Sequence, residues 1–188
     1  MPDISPLPKL QSHSVFHTFC KYPQVAFESQ HEHEIVILTL RAHPFTQTNW
    51  IIISIIGFLS PFVLDVFLVG RAQVLVVLFA NVFWTLIVLS FAFYNLLRWV
   101  FNVGIITNER VLDVDYVFIQ KEITEAAIYD ITDATARTTG FFPNLFNYGD
   151  VFVQTAGTNE NIEFLAVPHP NEAVGIINQF AQATHGDN

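Results

Sequence analysis

Cysteine, glycine and positive charge are all scarce in this sequence, and each scarcity excludes a class of protein. Cys20 is the only cysteine among 188 residues, so neither an intramolecular disulfide framework nor a cysteine-rich zinc site can form. The eight glycines include no GxGxxG or GxxxxGK pattern, which excludes the usual phosphate-binding loops. Eight Lys and Arg residues stand against 17 acidic residues, for a net charge of −9. The chain therefore lacks the clustered cations that nucleic-acid binding requires.

Charge of either sign is also rare. Charged residues make up 13% of the chain and hydrophobic residues 52%, whereas a typical soluble domain carries about 25% charged residues. The shortage is local, because between Trp50 and Leu97 only Asp65 and Arg71 carry a formal charge. The exclusion of charge from this one segment indicates a lipid environment.

Two apolar runs fill that segment, at residues 50–69 and 72–98. They supply about 20 and 26 residues, and about 20 helical residues cross a hydrocarbon core roughly 30 Å thick. Trp50 and Trp99 stand where an aromatic belt is expected. We therefore predict a hairpin of two transmembrane helices over residues 50–98. The alternative, a buried helical hairpin in a soluble protein, is disfavoured because core helices are seldom so long and so free of charge.

The cations that flank the hairpin predict its orientation. The connecting loop offers only Arg71, whereas the residues that flank the two runs include Lys9, Lys21, Arg41, Arg98 and Arg110. The positive-inside rule then places both termini in the cytoplasm. Because the first 49 residues hold no short apolar run behind a basic start, we expect no cleavable signal peptide.

The rest of the chain divides into a tail, a lead-in and a β-rich half. Residues 1–33 contain early prolines and no sustained hydrophobic periodicity, so we expect them to form an N-terminal tail. Residues 34–49 are expected to run extended towards the membrane, and their EIVILTL stretch is either a strand or a stiff linker. From residue 101 to 184 short apolar stretches alternate with turn residues, which predicts an antiparallel meander.

Turn and helix signals refine this meander. Asn108-Glu109 and residues 158–161 are predicted hairpin turns. The stretch that follows Pro170 places apolar residues at helical spacing on one face, namely Ala173, Val174, Ile177 and Phe180. We expect a small curved sheet closed by a C-terminal amphipathic helix, with residues 101–188 able to fold alone.

In their order and spacing these segments resemble the YdbS-like bacterial pleckstrin-homology (PH) membrane proteins. The resemblance covers residues 28–184 and rests on the two-span hairpin and on five motifs: LRAHPF at 40–45, IITNERVLDVD at 105–115, IYDITDA at 128–134, FNYGDVFVQTAG at 146–157 and VPHP at 167–170. It implies a multi-pass protein of the bacterial plasma membrane. It also implies a fold in which a seven-stranded, partly open β-barrel is capped by a C-terminal helix, with no catalytic residue or cofactor to carry over.

Some eukaryotic PH domains hold a charged pocket for lipid headgroups, and this chain has few of the basic residues that such a pocket needs. The predicted β domain has only Arg110, Lys121 and Arg137 as basic residues. Specific recognition of a multiply charged headgroup needs several cations that converge on one pocket. We therefore predict that the domain does not bind polyphosphoinositides specifically.

Two groups of residues have metal-ligand chemistry. Residues 31–34 alternate His and Glu. In an extended segment, however, His31 and His33 would share one face and Glu32 and Glu34 the other, so only two ligands would converge. The second group falls at helical spacing within the predicted tail and consists of His13, His17 and Cys20. We favour solvated polar segments in both places and predict no metal site.

Asp65 is the one acid inside a predicted span, and such an acid suggests function by default. Because it lies near the loop, snorkelling to the interface or pairing with Arg71 is the simpler explanation. An ion path would need more polar partners than Asn81 and Asn95 provide. A transporter or channel component is therefore a remote alternative.

The segment at residues 140–149 concentrates large apolar side chains between two predicted strands: Phe141, Phe142, Leu145, Phe146 and Tyr148. If they are exposed, they form a binding surface for a membrane or a protein; if they are buried, they plug the open end of the barrel. We favour the plug and keep the exposed surface as the alternative.

No nucleophile elbow or oxyanion signature accompanies Cys20 or the serines, so we predict no enzyme. The leading hypothesis is a membrane-anchored module whose PH-like domain binds a protein partner or self-associates at the cytoplasmic face. Lipid sensing is the alternative. It is disfavoured by the acidic balance, since attraction to anionic lipid is worth about 1 kcal/mol per basic residue.

Overall fold

The computed structural model describes residues 17–23, 27, 29–68, 73–117, 120–156 and 161–186. The chain divides into two compact units. Residues up to His43 and from Val100 onward form one unit, called the β unit below, and Pro44–Trp99 form the helical hairpin. The β unit is therefore discontinuous in sequence.

The helical hairpin contains two long helices, α1 (Thr48–Leu68) and α2 (Val74–Phe101). A 3-10 turn at Pro44–Gln47 precedes α1. Both helices fall on the predicted apolar runs, and α2 continues three residues beyond its predicted end at Arg98. Their apolar stretches are only 6% and 0% buried. Two long apolar helices with exposed side chains are thus confirmed.

Gly57 is a point of close contact between α1 and α2. A Cβ atom added to Gly57 would lie 3.0 Å from Cγ2 of Val88, and the indole N–H of Trp84 donates to the Gly57 carbonyl at 2.9 Å. Because glycine has no side chain, the backbone of α1 can approach α2 closely at this position.

Within the described residues, the β unit contains eight strands in two antiparallel sheets, of order β1-β2-β3-β4-β5 and β6-β7-β8. The strands are β1 (Phe19–Lys21), β2 (Val36–Leu40), β3 (Val103–Thr107), β4 (Arg110–Val117), β5 (Gln120–Ala127), β6 (Ile131–Arg137), β7 (Tyr148–Thr155) and β8 (Ile162–Pro168). The 3-10 turn Ile128–Asp130 separates β5 from β6, so the chain changes sheet there. The expected barrel is thereby corrected to two sheets that do not close.

Strand β2 is an inner strand of the five-stranded sheet. It pairs with β3 through Leu38↔Ile106 and Leu40↔Gly104, and all five of its residues are buried. Four of its five residues are apolar, Thr39 being the exception, because both faces of the strand are covered. Of the two interpretations of EIVILTL the strand is therefore correct, and the hairpin is inserted between two paired strands. The structure adds β1 and β2 to the domain predicted at residues 101–184.

Two helices complete the β unit: α3 (Phe141–Phe146), between β6 and β7, and α4 (Pro170–Gly186) at the C-terminal end. The predicted apolar face of α4 packs on the core through Ala173, Val174, Ile177 and Phe180. The predicted helix is thus confirmed. The Asn108-Glu109 turn joins β3 to β4 as predicted, whereas residues 158–160 of the second predicted turn lie outside the described residues.

Candidate functional site

Helix α3 exposes four large apolar side chains, which we call the α3 surface. The exposed fraction is 75% for Phe141, 53% for Phe142, 62% for Leu145 and 42% for Phe146. Side chains that plug a core would be almost fully buried, so the plug interpretation is wrong. Tyr148, at the start of β7, is half-buried. The loop therefore presents a surface, which was the alternative interpretation of the sequence.

Both ends of α3 are held by residues suited to their backbone conformation. Gly140 precedes the helix with a φ of 111°, which glycine adopts without steric cost. Asn147 ends it in the left-handed region, with its N–H bonded to the Pro143 carbonyl. The Asn147 side chain contacts the His169 ring at 2.8 Å from Nδ2 to Nδ1, and the His169 N–H donates to the Asn147 carbonyl at 2.9 Å. These contacts fix the α3 surface on the β unit.

The α3 surface adjoins the segment of the β unit that precedes the helical hairpin in sequence. The ring of His43 stacks on Tyr148 with centroids 5.1 Å apart, and it lies 6.4 Å from the ring of Phe146. The His43 N–H donates to the Ala166 carbonyl at 2.7 Å. Burial lowers the pKa of His43, and the nearby charge of His169 lowers it further. At neutral pH the His43 ring is therefore uncharged, and its contacts join the residues before the hairpin to α3 and the start of β7.

Arg110, the first residue of β4, is the centre of a cluster of charges. Its Nε donates to Oε1 of Glu34 at 3.0 Å and its Nη1 to Oε2 of Glu125 at 2.9 Å. The Glu34 carboxylate is wholly buried and also accepts from the Thr107 hydroxyl at 2.8 Å. Burial alone would raise the pKa of Glu34, but hydrogen bonds from Arg110, the His31 N–H and Thr107 lower it below its usual value. The guanidinium is thus held within the fold.

The three basic residues considered as headgroup ligands do not converge. Arg110 begins β4, and Lys121 pairs with Tyr116, six positions further along that strand. Six strand positions correspond to roughly 20 Å. Arg137 lies on the other sheet, opposite Asp150. These three residues therefore do not form one cationic cluster.

The His and Glu residues at positions 31–34, for which we predicted no metal site, are not arranged as an extended segment would arrange them. Residues 32–33 lie in a turn and not in an extended segment. The ligand atoms that approach within 4.8 Å of one another belong to His31, Glu34 and Glu109. The Glu34 oxygens already accept hydrogen bonds from Arg110, and Nδ1 of His31 lies 2.7 Å from Glu109. The group is explained as an ion-pair network.

Cys20 does not share a helical face with His17, because it lies on strand β1. Its side chain is buried, and burial raises the pKa of the thiol. A protonated, buried thiol is a poor nucleophile and a poor metal ligand. His13, the third member of the predicted group, lies outside the described residues.

Asp65 joins the two long helices. The Asn81 amide donates to its Oδ2 at 2.7 Å, while its Oδ1 is buried without a hydrogen-bond partner among the described residues. The Asn95 amide instead donates to the Phe91 carbonyl of its own helix, at 2.8 Å. Arg71, the expected partner of Asp65, lies outside the described residues. Among the described residues, Asp65 and Asn81 therefore form a hydrogen-bonded contact between the two helices.

A second exposed surface lies at the end of the five-stranded sheet where β2 begins and β3 ends. We call it the distal surface, and it consists of Ile35, Asn108, Glu109, Tyr129 and Asp130. The Ile35 N–H donates to Oδ1 of Asn108 at 2.7 Å, and the Ile128 N–H donates to the Glu109 carbonyl at 2.9 Å. Ile35 is 53% exposed and Tyr129 62%. Sequence analysis missed this surface, since only strand pairing brings its members together.

Comparison with known proteins gives one family match. A family model for the bacterial PH domain matches residues 51–181, from α1 into α4. No curated protein matches the chain significantly. Among solved structures, the chain is similar to the crystal structure of a DUF1696 family protein with a pleckstrin-homology domain from Shewanella loihica. The two share 17% sequence identity over 43% of this chain and 68% of that one, with a TM-score of 0.32.

Proposed function

Since the chain belongs to the bacterial PH domain family, we propose that it is a membrane-anchored, non-enzymatic binding module. In this proposal α1 and α2 span the bilayer as a hairpin, and the β unit binds a protein partner at the cytoplasmic face through the distal surface. The observation that carries the proposal is the exposure of Ile35 and Tyr129 at the end of the sheet where backbone hydrogen bonds join their segments to Asn108 and Glu109.

The anchoring part is supported by the exposure of the two long helices. Their apolar stretches are 6% and 0% buried, whereas a core helix of a soluble protein would be mostly buried. At roughly 1.5 Å per residue each helix exceeds 30 Å, which is the thickness of a hydrocarbon core. A hairpin of this kind in water would expose a far larger apolar area than soluble monomers do.

A protein ligand is favoured over an anionic headgroup because Arg110 and Lys21 already form ion pairs within the β unit. The Arg110 guanidinium is paired with Glu34 and Glu125, and Lys21 is paired with Glu172. The chain as a whole carries a net charge of −9. Such a field repels phosphates and attracts a basic protein surface.

The distal surface has the composition of a small protein-binding site. Tyrosine is enriched at the energetic centres of interfaces because one end of its ring is apolar and the other is polar. Here Tyr129 and Ile35 supply apolar area. Asp130 supplies an acidic group at its edge, as does Glu109, whose carboxylate also contacts His31. A partner segment with an apolar residue flanked by Lys or Arg would complement it.

The non-enzymatic part is supported by the state of the lone thiol. Cys20 is buried, and the pKa of its thiol is raised by burial, the opposite of what an activated nucleophile needs.

Site-specific photo-crosslinking of the full chain in its native membrane tests the proposal. A benzophenone side chain at Tyr129 is expected to give a defined protein adduct, and the same probe at Leu165, which is 61% exposed on β8, is the matched control. The adduct should weaken several-fold with Asp130→Lys and at high salt. An adduct of equal yield from both positions, or none from Tyr129, would overturn the proposal.

Reporter fusions at residues 48, 70 and 188 test the anchoring separately. Activity of a cytoplasmic reporter at residues 48 and 188, and of an external reporter at residue 70, is expected. An externally active fusion at residue 188 would contradict the proposed topology.

A further inference from the structure

We propose that the α3 surface inserts into the interfacial zone of the bilayer, as a second contact between this chain and lipid in addition to the spanning helices. The inference rests on the proposed function in one respect, that α1 and α2 span the membrane. In this inference the exposed residues Phe141, Phe142, Leu145 and Phe146 contact lipid and not protein.

The first step concerns the end of the β unit from which the chain leaves for the hairpin. Strand β2 ends at Leu40, and β3 begins at Val103. Leu40 pairs directly with Gly104, so both connections to the hairpin depart from one end of the five-stranded sheet. The distal surface lies at the opposite end, where Val36 pairs with Thr107.

The second step places α3 at that same end. Three residues after Leu40, His43 is bonded through its N–H to Ala166 and stacks on Tyr148, and its ring lies 6.4 Å from Phe146. The contacts between Asn147 and His169 hold the adjoining end of α3. The α3 surface is therefore fixed beside the last residue of the β unit before the hairpin.

The third step is a limit set by chain length. Only the 3-10 turn Pro44–Gln47 separates His43 from α1, and four residues of 3-10 helix extend about 8 Å. The polar zone on each side of the hydrocarbon core is roughly 5–8 Å thick. The α3 surface, which is held beside His43, is therefore within reach of the bilayer surface once α1 enters the membrane.

The fourth step is the chemistry of the α3 segment. From Thr138 to Gly149 no residue carries a formal charge, and the exposed large apolar side chains are three phenylalanines and a leucine. Interfacial segments commonly bury Phe and Leu at the boundary between headgroups and acyl chains. Because no Lys or Arg lies within this segment, insertion depends on apolar burial and not on anionic lipid.

Depth-dependent quenching in proteoliposomes tests the inference with the full chain. An environment-sensitive fluorophore is attached to a cysteine introduced as Phe141→Cys, and separately as Tyr129→Cys on the distal surface as a matched exposed aromatic position. The unsubstituted chain, whose Cys20 is buried, serves as the labelling blank. The vesicles contain zwitterionic phosphatidylcholine, with bromine at a shallow acyl position in the quenching samples.

We expect bromolipid to quench the Phe141→Cys probe at least threefold more than the Tyr129→Cys probe, with no change at 0.5 M salt, and Leu145→Ser to reduce that quenching. Equal quenching at both positions would overturn the inference. So would a probe at position 141 that is shielded from water but is not quenched by bromolipid, since that result indicates a protein contact. If the hairpin does not span the bilayer, the protein is extracted from vesicles by carbonate, so failure of the proposed function is recognised separately.

Discussion

Glu34 and Arg110 form an ion pair, with 3.0 Å between Oε1 and Nε, although the two residues are 76 positions apart and the whole helical hairpin lies between them in sequence. The Glu34 carboxylate is wholly buried, and the Arg110 side chain is 14% exposed. The pair ties the segment before β2 to the start of β4. It therefore joins the two parts of the discontinuous β unit.

Removing this pair should destabilise the β unit. Glu34→Ala leaves the Arg110 guanidinium without its buried partner, and we expect the free energy of unfolding to fall by about 2–4 kcal/mol. Urea unfolding of the detergent-solubilised chain, followed by circular dichroism of the strands, measures the change. Glu32→Ala, at an exposed position two residues earlier, should change stability by less than about 0.5 kcal/mol.

The stabilisation by this ion pair should depend on pH, and the direction of the pKa shift of Glu34 determines how. The pKa of Glu34 is lowered in the folded protein, so its stabilisation is present above the unfolded value of about 4.3 and is lost as pH falls through the lower folded value. The deficit of Glu34→Ala should therefore shrink at acidic pH. A deficit that is constant from pH 7 down to strongly acidic pH would show that packing, and not charge, is responsible.

Asp113→Asn should stabilise the protein above neutral pH. Burial, with a contribution from the charge of Asp115, raises the pKa of Asp113 to about 7, whereas the unfolded value is about 3.9. The folded state thus binds this proton more tightly, and stability falls as pH rises from about 4 to about 7. The full difference corresponds to about 4 kcal/mol, which solvent screening at this partly exposed site reduces to about 1–2 kcal/mol.

Urea unfolding at two pH values checks this prediction. At pH 8 the Asn variant should be about 1–2 kcal/mol more stable than the unsubstituted protein, and at pH 4 the two should be nearly equal. Asp133→Asn, at an exposed position on β6, is the matched control and should show neither effect. A variant that is less stable at pH 8 would contradict the assignment.

Contrary to the expectation from the sequence, residues 101–188 should not fold alone. This fragment lacks β2, whose Ile37, Leu38 and Leu40 are buried in the main core. The loss of one such side chain costs about 2–5 kcal/mol, so the loss of all three is comparable with the whole stability of a small domain. A chain in which a short Gly/Ser linker joins residues 17–43 to 100–188 should restore it. Thermal unfolding followed by circular dichroism should be cooperative for the linked chain only, and cooperative unfolding of the bare fragment would contradict the prediction.

The Asp65–Asn81 contact should couple α1 to α2. Interhelical hydrogen bonds in membranes contribute about 0.6–1.7 kcal/mol, so a double-mutant cycle with Asp65→Leu and Asn81→Leu should give a coupling energy of about 1 kcal/mol in detergent unfolding. Asn95→Leu is the control, because the Asn95 amide bonds to its own helix and should not couple to Asp65. Zero coupling for Asn81 would show that the contact is not formed in detergent.

Local patterns predicted the elements whose signal is continuous in sequence. The two apolar runs became α1 and α2, the periodic stretch after Pro170 became α4, and Asn108-Glu109 became the β3–β4 turn. Each depends on residues within a few turns or one hairpin of one another. Such signals are readable because hydrophobic period and turn chemistry are local properties of the chain.

The position of β2 was open to two interpretations for a different reason. EIVILTL has no alternation to mark a half-buried strand, and its partner β3 follows only after the hairpin. Strand pairing across so large an insertion produces no recognisable pattern in the sequence near β2. The same limit hid the Glu34–Arg110 pair and the distal surface.

The amino-acid sequence by itself determined where apolar and charged residues lie along the chain, and hence the two long helices, the acidic balance and the shortage of cations. Only the tertiary structure decided that the hairpin interrupts a sheet, that Arg110 is paired internally and that α3 is exposed. The reason is physical: burial and ion pairing depend on which segments meet in space, and antiparallel pairing brings together residues that no periodicity in the sequence relates.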